Sequence, residues 1–184
     1  MKGLRCYITD RLALGDGFLD AVRRNVAAGL DYLQIREKDL EARALGDLTR
    51  QVLAVTQGSR TRVLVNDRLD VALACGAQGV HLRGGSLAPS VLRRVTPPGF
   101  LIGVSCHSVE DLARAGGADF AVFGPVFDFS KGKGVGLESL ASACRSTTLP
   151  VLALGGVSLE RESDCLRAGA SGIAGIRLFQ EPQP

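Results

Sequence analysis

The sequence contains no tryptophan, and aromatic residues make up only 5% of its 184 residues. Proteins that hold single-stranded nucleic acid stack the bases on aromatic side chains, so a binding surface of that kind is not expected here. Charge of one sign is not in large excess either, because 22 basic residues stand against 19 acidic ones and give a net charge of +3. The basic residues are dispersed rather than clustered. We therefore expect no nucleic-acid partner.

Long hydrophobic runs are absent as well. No segment approaches the roughly 20 apolar residues that a membrane-spanning helix needs, and the start, MKGLRCYITD, lacks the apolar core of a signal peptide. The five cysteines form no CxxC pair, and their spacing to the two histidines does not match a zinc site. We expect a cytoplasmic protein without membrane association, whose cysteines are small buried apolar residues.

Length and composition favour one domain. With 46% hydrophobic residues, a chain of 184 residues can build one sizeable core but is too short for two comfortable domains. We therefore expect residues 1–184 to form a single domain.

Four segments of the chain resemble one another. They are AGLDYLQIR (28–36), CGAQGVHLR (75–83), GGADFAVFG (116–124) and AGASGIAGI (168–176). Each reads as a helix end, a glycine that can take the left-handed cap, a polar residue and then an apolar strand. This is the helix-to-strand half of a βα unit, seen four times.

The whole chain alternates between strand and helix patterns. Strands are expected near residues 6–10, 32–37, 62–67, 79–82, 101–107, 120–126, 151–156 and 172–178. Helices are expected at 17–28, 41–56, 68–75, 88–95, 108–115, 137–145 and 159–168. Eight alternating units predict a parallel sheet closed into a (β/α)8 barrel. The alternative is a doubly wound open sheet, whose dinucleotide-binding form is disfavoured because no GxGxxG follows the first strand.

The predicted barrel lacks most of its last helix. Only FQEPQP follows the eighth strand, and the chain is shorter than the roughly 250 residues of a typical barrel. The surface beside strands one and eight is therefore expected to be exposed or covered by a partner subunit.

The stretch DYLQIREKDL (31–40) has a polar face. Because strand side chains alternate, Gln34, Arg36 and Lys38 share one side, which in a barrel points to the mouth. Arginine offers a bidentate fork and lysine a point charge, so the pair suits a phosphate or pyrophosphate. The alternative is a strand end neutralised by Glu37 and Asp39.

Other polar residues fall at predicted strand ends, where barrel active sites gather. They are Asn66, Asp67, His81, Ser105 and His107, followed by the glycine pair Gly155 and Gly156, which with the turn at Ile176 and Arg177 can form a phosphate site. His107 is a candidate acid or base, whereas His81 is expected to be structural. The loop DFSKGKGVG (128–136) is either a lid or a solvated loop.

These residues resemble the thiamin phosphate synthase/TenI family over nearly the whole chain. The landmarks, in order, are YITD, QIREKD, NDRLDVALACGAQGVHL, IGVSCHS, GADFAVFGPVF, VLALGG and AGASGIAGI. Several landmarks in the right order make the match specific. The resemblance implies a (β/α)8 barrel, in agreement with the strand count.

The resemblance also implies a ligand set for a synthase. The pyrimidine pyrophosphate is expected on Gln34, Arg36, Lys38, Asn66, Ser105 and Lys131, with Asp67 on a magnesium ion. The thiazole phosphate is expected on Gly155, Gly156, Ile176 and Arg177. The reaction is displacement of pyrophosphate by the thiazole nitrogen, giving thiamin phosphate, and Lys38 would steady the departing charge.

Two departures from the synthase pattern favour the TenI branch. Ser86 stands where synthases have a second magnesium-binding aspartate, and the loop after GPVF is shortened. Some TenI proteins are thiazole tautomerases, but their histidine position is occupied here by Pro125. A tautomerase of this sequence would need another base, for which His107 and Glu37 are the candidates.

We therefore expect a TenI-like protein of thiamin biosynthesis that binds thiazole phosphate-type ligands. The alternative is a thiamin phosphate synthase, which would need Mg²⁺ and tolerate Ser86. A third hypothesis is a phosphate-binding or regulatory relative without catalysis. Since dimers occur in the family, a homodimer is also allowed by the resemblance.

Overall fold

The structure, a computed structural model, describes residues 3–127 and 132–181. Within these ranges, eight parallel strands pair in sequence order, and the eighth pairs with the first to close a barrel. The closing register aligns Leu4 with Gly172 and Tyr7 with Gly175. The predicted (β/α)8 barrel is confirmed, and the open-sheet alternative is wrong because no strand has a free edge.

Helices alternate with the strands along the chain. The strands are β1 (Leu4–Ile8), β2 (Tyr32–Ile35), β3 (Arg62–Asn66), β4 (Gly79–Leu82), β5 (Leu101–Cys106), β6 (Phe120–Phe123), β7 (Val151–Ala153) and β8 (Gly172–Gly175). The helices are α1 (Arg11–Leu14), α2 (Phe18–Ala27), α3 (Ala42–Thr56), α4 (Leu69–Cys75), α5 (Pro89–Leu92), α6 (Val109–Ala113), α7 (Gly136–Arg145) and α8 (Leu159–Arg167). Short 3-10 turns cover Gly15–Gly17 and Arg177–Phe179.

The four repeated segments fold as their sequences predict. The glycine of each repeat, at positions 29, 76, 117 and 169, has a positive φ, between 73° and 101°. This left-handed conformation is open to glycine and strained for most other residues. At positions 29, 76 and 169 the glycine lies within two residues of the helix end and turns the chain into the next strand, whereas Gly117 lies four residues after α6 ends at Ala113.

The interior of the barrel is filled by small and medium apolar side chains and one large aromatic ring. Cys6, Leu64, Leu152 and Ala174 are buried there around Phe120. Burial raises the pKa of the Cys6 thiol to about 12, so this cysteine acts as a packing residue. The filled interior leaves chemistry to the rim of the barrel.

The side of the barrel where the short turn Arg177–Phe179 follows β8 is held by three contacts. The ring of Phe179, in the turn after β8, lies 5.8 Å from that of Tyr7 on β1. Asn25 of α2 donates a hydrogen bond to the Phe179 carbonyl at 2.6 Å. Arg5 of β1 pairs with Glu162 of α8 at 2.7 Å. The short last element is therefore anchored to its neighbours.

Across residues 3–127 and 132–181, no helix combines the length and the apolar composition that crossing a membrane requires.

Candidate active site

The carboxyl ends of β2 to β5 bring polar side chains together at one rim of the barrel. Asn66 is aligned with His81 in the β3–β4 register, and Gln34 donates to the Asn66 side-chain oxygen at 3.4 Å. The His81 Nε2 lies 2.9 Å from the Ser105 Oγ. The charge of Arg36 also acts on His81. The residues expected from strand alternation therefore meet in space.

Arg36 and Lys38 have no acidic partner among the described residues. The alternative of a strand end neutralised by its own acids is not what the structure has, because Asp39 pairs with Arg11. Glu37 also turns to Arg11, accepting from its backbone N–H at 3.1 Å. Arg11, the first residue of α1, thus pairs with both acids and leaves Arg36 and Lys38 available for an anion.

The carboxylate of Glu37 is buried and hydrogen-bonded. Its side chain is almost fully buried, and the Thr9 hydroxyl donates to it at 2.5 Å. Burial raises the pKa of this carboxyl above its ordinary value, while the hydrogen bonds from Thr9 and Arg11 act in the opposite direction. Since these donors already engage the carboxylate, the structure does not present Glu37 to the mouth as a free base.

His81 orients Ser105 beneath the rim. The imidazole is fully buried and its Nδ1 has no partner among the described residues. A buried N–H without an acceptor costs more than a buried lone pair, so we place the proton on Nε2, where it is donated to Ser105. The Ser105 hydroxyl is then free to donate its own proton toward the mouth.

The buried imidazole predicts a pH dependence of stability. Desolvation lowers the pKa of His81 from 6.5 to about 4, with Arg36 acting in the same direction and Asp67 in the opposite one. Between these values the unfolded chain binds the proton and the folded chain does not, so stability falls as the pH falls from 6.5 to 4. The full difference corresponds to about 3 kcal/mol.

Urea unfolding of the wild type and of His81→Gln at a series of pH values measures this contribution. The unfolding free energy of the wild type should fall relative to that of the variant progressively below pH 6.5. Other effects of acid cancel in the difference between the two proteins. Stability curves that stay parallel down to pH 4 would show that His81 does not titrate as inferred.

His107 lies at the end of β5 with its ring held in place. Its Nδ1 is 2.5 Å from the Gly124 carbonyl, and its backbone N–H donates to Asp111 at 2.8 Å. A carbonyl only accepts, so Nδ1 carries a proton, and in the neutral tautomer Nε2 then has the lone pair. The exposed ring is therefore oriented as a proton acceptor beside the Gly124–Pro125 bond.

Asp67, the expected magnesium ligand, already has its acceptor sites occupied. Its Oδ1 accepts from the Arg83 backbone N–H at 3.1 Å and the Ser86 hydroxyl at 3.0 Å. Its Oδ2 lies 2.9 Å from the Arg83 Nε and 3.4 Å from the Asn66 amide. These four donors match the roughly four lone-pair sites of a carboxylate.

The same residues are a poor match for magnesium. Mg²⁺ is held through carboxylate oxygens in a near-ideal octahedron, and in the described ranges no group of three or more histidine, cysteine, aspartate or glutamate side chains could hold a metal. In this arrangement, a cation would have to displace Arg83 from Asp67. The donor set does not fit a resident magnesium ion.

The expected thiazole-phosphate end lies across the rim, after β7 and β8. Gly155 and Gly156 have φ values of 94° and 62°, and a Cβ at Gly155 would come within 2.5 Å of Pro125. The pair lies in the loop before α8, which begins at Leu159. Ile176 and Arg177 directly follow β8, the strand that pairs with β7. The Arg177 side chain is exposed.

Lys131 and the first four residues of the proposed lid, 128–131, lie outside the described residues, whereas 132–136 are described. Arg83 was not singled out, although it follows the HL of β4 directly, as Asp67 follows Asn66 on β3. Its position one residue past a strand end was the available signal.

Surface depressions occur at both ends of the barrel. One of about 370 Å³ lies at the rim and is lined by Lys38, Asn66, Asp67 and Arg83, among others. Larger ones of about 700 and 550 Å³ lie at the opposite end, before the strands begin. We assign the site to the rim because barrel chemistry depends on the loops after the strands.

The fold and this rim define a (β/α)8 barrel with a cationic mouth. The thiamine monophosphate synthase family model matches residues 6–179. A protein of Aquifex aeolicus, provisionally named thiamine-phosphate synthase 2, is 41% identical over 179 residues, which cover 95% of this chain and 96% of its own. The thiamine-phosphate synthase of Methanoculleus marisnigri is 37% identical over 182 residues, covering 95% and 86%.

A solved structure agrees with these relatives. The thiamine phosphate pyrophosphorylase from Pyrococcus furiosus has a TM-score of 0.86 and 30% identity, covering 97% of this chain and 88% of that one. The chain belongs to the thiamine monophosphate synthase family. Small-molecule phosphates are the substrates that this family implies. The relatives' names favour the synthase alternative over the TenI-like tautomerase of the sequence analysis.

Proposed function

We propose that the protein is a thiamin phosphate synthase, which joins a pyrimidine pyrophosphate to a thiazole phosphate and releases pyrophosphate. The observation that carries this proposal is the pair of unpartnered cations, Arg36 and Lys38, at the mouth. A strand end with two basic side chains and no acidic partner among the described residues has a physical reason to exist when a polyanion binds there.

The chemistry asks little of the protein beyond binding charge. The bond from the pyrimidine methylene carbon to the pyrophosphate oxygen breaks, and its electron pair leaves with the pyrophosphate. The lone pair of the thiazole nitrogen forms the new C–N bond. No proton has to be removed in this step, so Pro125 is compatible with it. Stabilising the departing negative charge is the main catalytic task.

Side chains on or just after three strands, β2, β4 and β5, would serve that task. Arg36 and Lys38 offer positive charge, and the Ser105 hydroxyl, oriented by His81, offers a hydrogen bond from below. Gln34 is buried beside them. These groups lie on strand ends held by the barrel, so they meet the anion without large reorganisation.

The thiazole phosphate would be held on the opposite side of the mouth. Backbone N–H groups near Gly155 and Gly156, with those at Ile176 and Arg177, suit a phosphate that needs positioning rather than activation. The two substrates would then face each other across the barrel axis.

A coupling assay tests the proposal. Purified protein would be mixed with both substrates and magnesium, and thiamin phosphate would be read by its oxidised fluorescence. Product that requires both substrates and appears in equal amount with pyrophosphate supports the synthase. Absence of product, with a known synthase active in parallel, would contradict it. Thermal stabilisation by the ligands without turnover would then indicate the non-catalytic binder.

A specific observation favours a second candidate, the thiazole tautomerase. The His107 ring is held against the Gly124 carbonyl, next to the position where tautomerases of this family have their histidine, and its Nε2 can accept a proton. A tautomerase would shift a proton on the thiazole carboxylate phosphate, and His107→Gln would abolish that activity. Isomerisation unchanged in His107→Gln would remove this candidate.

A further inference from the structure

The loop after β4 grips the carboxylate of Asp67. Backbone and side chain of Arg83, together with the Ser86 hydroxyl, all reach it at 2.9 to 3.1 Å. Asp67 itself has a φ of 58°, a left-handed conformation that aspartate tolerates better than most residues. This turn directs the side chain to the loop at 83–86, so the two loops are built as one unit.

Most of the N–H donors of the Arg83 guanidinium are not engaged by Asp67. Arginine has five N–H donors, and the side-chain contact to Asp67 is made by Nε. The terminal nitrogens donate no hydrogen bond to a residue within 3–127 and 132–181, and 71% of the side chain is exposed. Asp67 therefore anchors the arginine by one edge and leaves the other edge for a ligand.

Two other charged side chains near this part of the rim, Arg68 and Glu37, already have partners. Arg68 pairs with Asp70 at 2.7 Å, and Glu37 accepts hydrogen bonds from Thr9 and Arg11. The cations left for an anion are those of Arg36, Lys38 and Arg83. The Arg83–Asp67 pair has a further effect, because it compensates a carboxylate that would otherwise repel an anion at this place.

We propose that Arg83 takes the place of a divalent cation in this protein, and that pyrophosphate binds at the rim without magnesium. The proposal rests on the proposed function in that pyrophosphate is the leaving group of that reaction. Arg83 supplies a cationic fork beside Asp67, which is the residue expected to hold the magnesium ion.

Titration calorimetry with inorganic pyrophosphate tests the proposal, in EDTA and in magnesium. The wild type should bind in EDTA with an affinity within threefold of that in magnesium. Arg83→Ala should bind about tenfold or more weakly in EDTA, because it loses a cation and exposes Asp67 to the anion. Magnesium should restore part of this loss, since the freed carboxylate can now hold it.

Two further variants sharpen the result. Arg83→Ala combined with Ser86→Asp creates a pair of carboxylates, and its pyrophosphate binding should depend on magnesium more strongly than that of either single variant. Arg94→Ala removes the same charge from an exposed position after α5, and should bind as the wild type does. Wild-type binding that appears only with magnesium, or an unchanged affinity in Arg83→Ala, would overturn the proposal.

Calorimetry and the coupling assay together separate this proposal from the proposed function. Pyrophosphate binding in EDTA without any coupling activity would contradict the synthase and leave the assignment of Arg83 intact. Coupling activity that EDTA abolishes, together with magnesium-dependent pyrophosphate binding, would support the synthase and contradict the assignment of Arg83.

Discussion

Replacing Arg36 with alanine is expected to lower kcat/KM for the pyrimidine pyrophosphate by about 100-fold or more. The guanidinium lies at the mouth without an acidic partner among the described residues, so its charge is available to the leaving group. The effect should appear mainly in kcat, since charge on the leaving oxygen grows as the bond breaks. Initial rates of thiamin phosphate formation over a range of both substrates measure it.

Two controls make the Arg36 result specific. The KM for thiazole phosphate should change little, because that substrate is assigned to the far side of the rim. Arg62→Ala removes an exposed arginine at the start of β3, at the opposite end of the barrel, and should keep wild-type kinetics. Equal losses in the two variants would show that net charge, rather than the cationic mouth, is responsible.

Phe120→Ala is expected to cost about 3–5 kcal/mol of unfolding free energy. The ring fills the centre of the barrel, with only 1% of its surface exposed. It stacks on Tyr32 with centroids 4.7 Å apart and planes within 2°. A Cβ at Gly103 would come within 2.5 Å of it, so glycine makes room for the ring. The closed strands cannot collapse far into the space that alanine would leave.

Equilibrium urea unfolding measures this loss. Leu12→Ala serves as the control, because its side chain is 68% exposed, and its change should stay within about 0.5 kcal/mol. A Phe120→Ala protein as stable as the control variant would mean that the interior is not packed around this ring.

The order of strands and helices could be predicted from the sequence because each repeat carries its own turn signal. Glycine at 29, 76 and 169 directly follows a helix end, Gly117 lies in the loop after α6, and in each case the apolar run that follows is a strand. The ends of elements were less predictable. β6 ends at Phe123 rather than near 126, and α5 ends at Leu92 rather than 95, since backbone hydrogen bonds to neighbouring elements decide where a pattern stops.

The short helix α1 was not predicted. Its four residues are too few for a helical period to show. The signal lies in Asp10, whose side chain caps the helix by accepting from the Ala13 N–H.

Which residues point to the mouth followed from strand alternation, but their partners did not. Glu37 and Asp39 are next to Arg36 and Lys38 in sequence, yet both turn to Arg11, the first residue of α1. Since β2 ends at Ile35, these residues lie in the loop after it, and the shape of that loop rather than adjacency in sequence decides the ion pairs.

The environment of Asp67 could not be predicted from the sequence either. Its contacts to Arg83 and Ser86 depend on the shape of two loops and on one left-handed residue, which no periodic pattern encodes. Sequence comparison with synthases could only mark Ser86 as a departure. The structure adds that this serine and the neighbouring arginine act on one carboxylate.

The most direct test of the account is a crystal structure of the protein with thiamin phosphate and pyrophosphate bound. We predict pyrophosphate oxygens on Arg36, Lys38 and Ser105, and the thiamin phosphate group at Gly155 and Gly156. Pyrophosphate bound instead in the 700 Å³ depression near the start of β3, with the rim unchanged, would contradict the central claim that the cationic mouth is the active site.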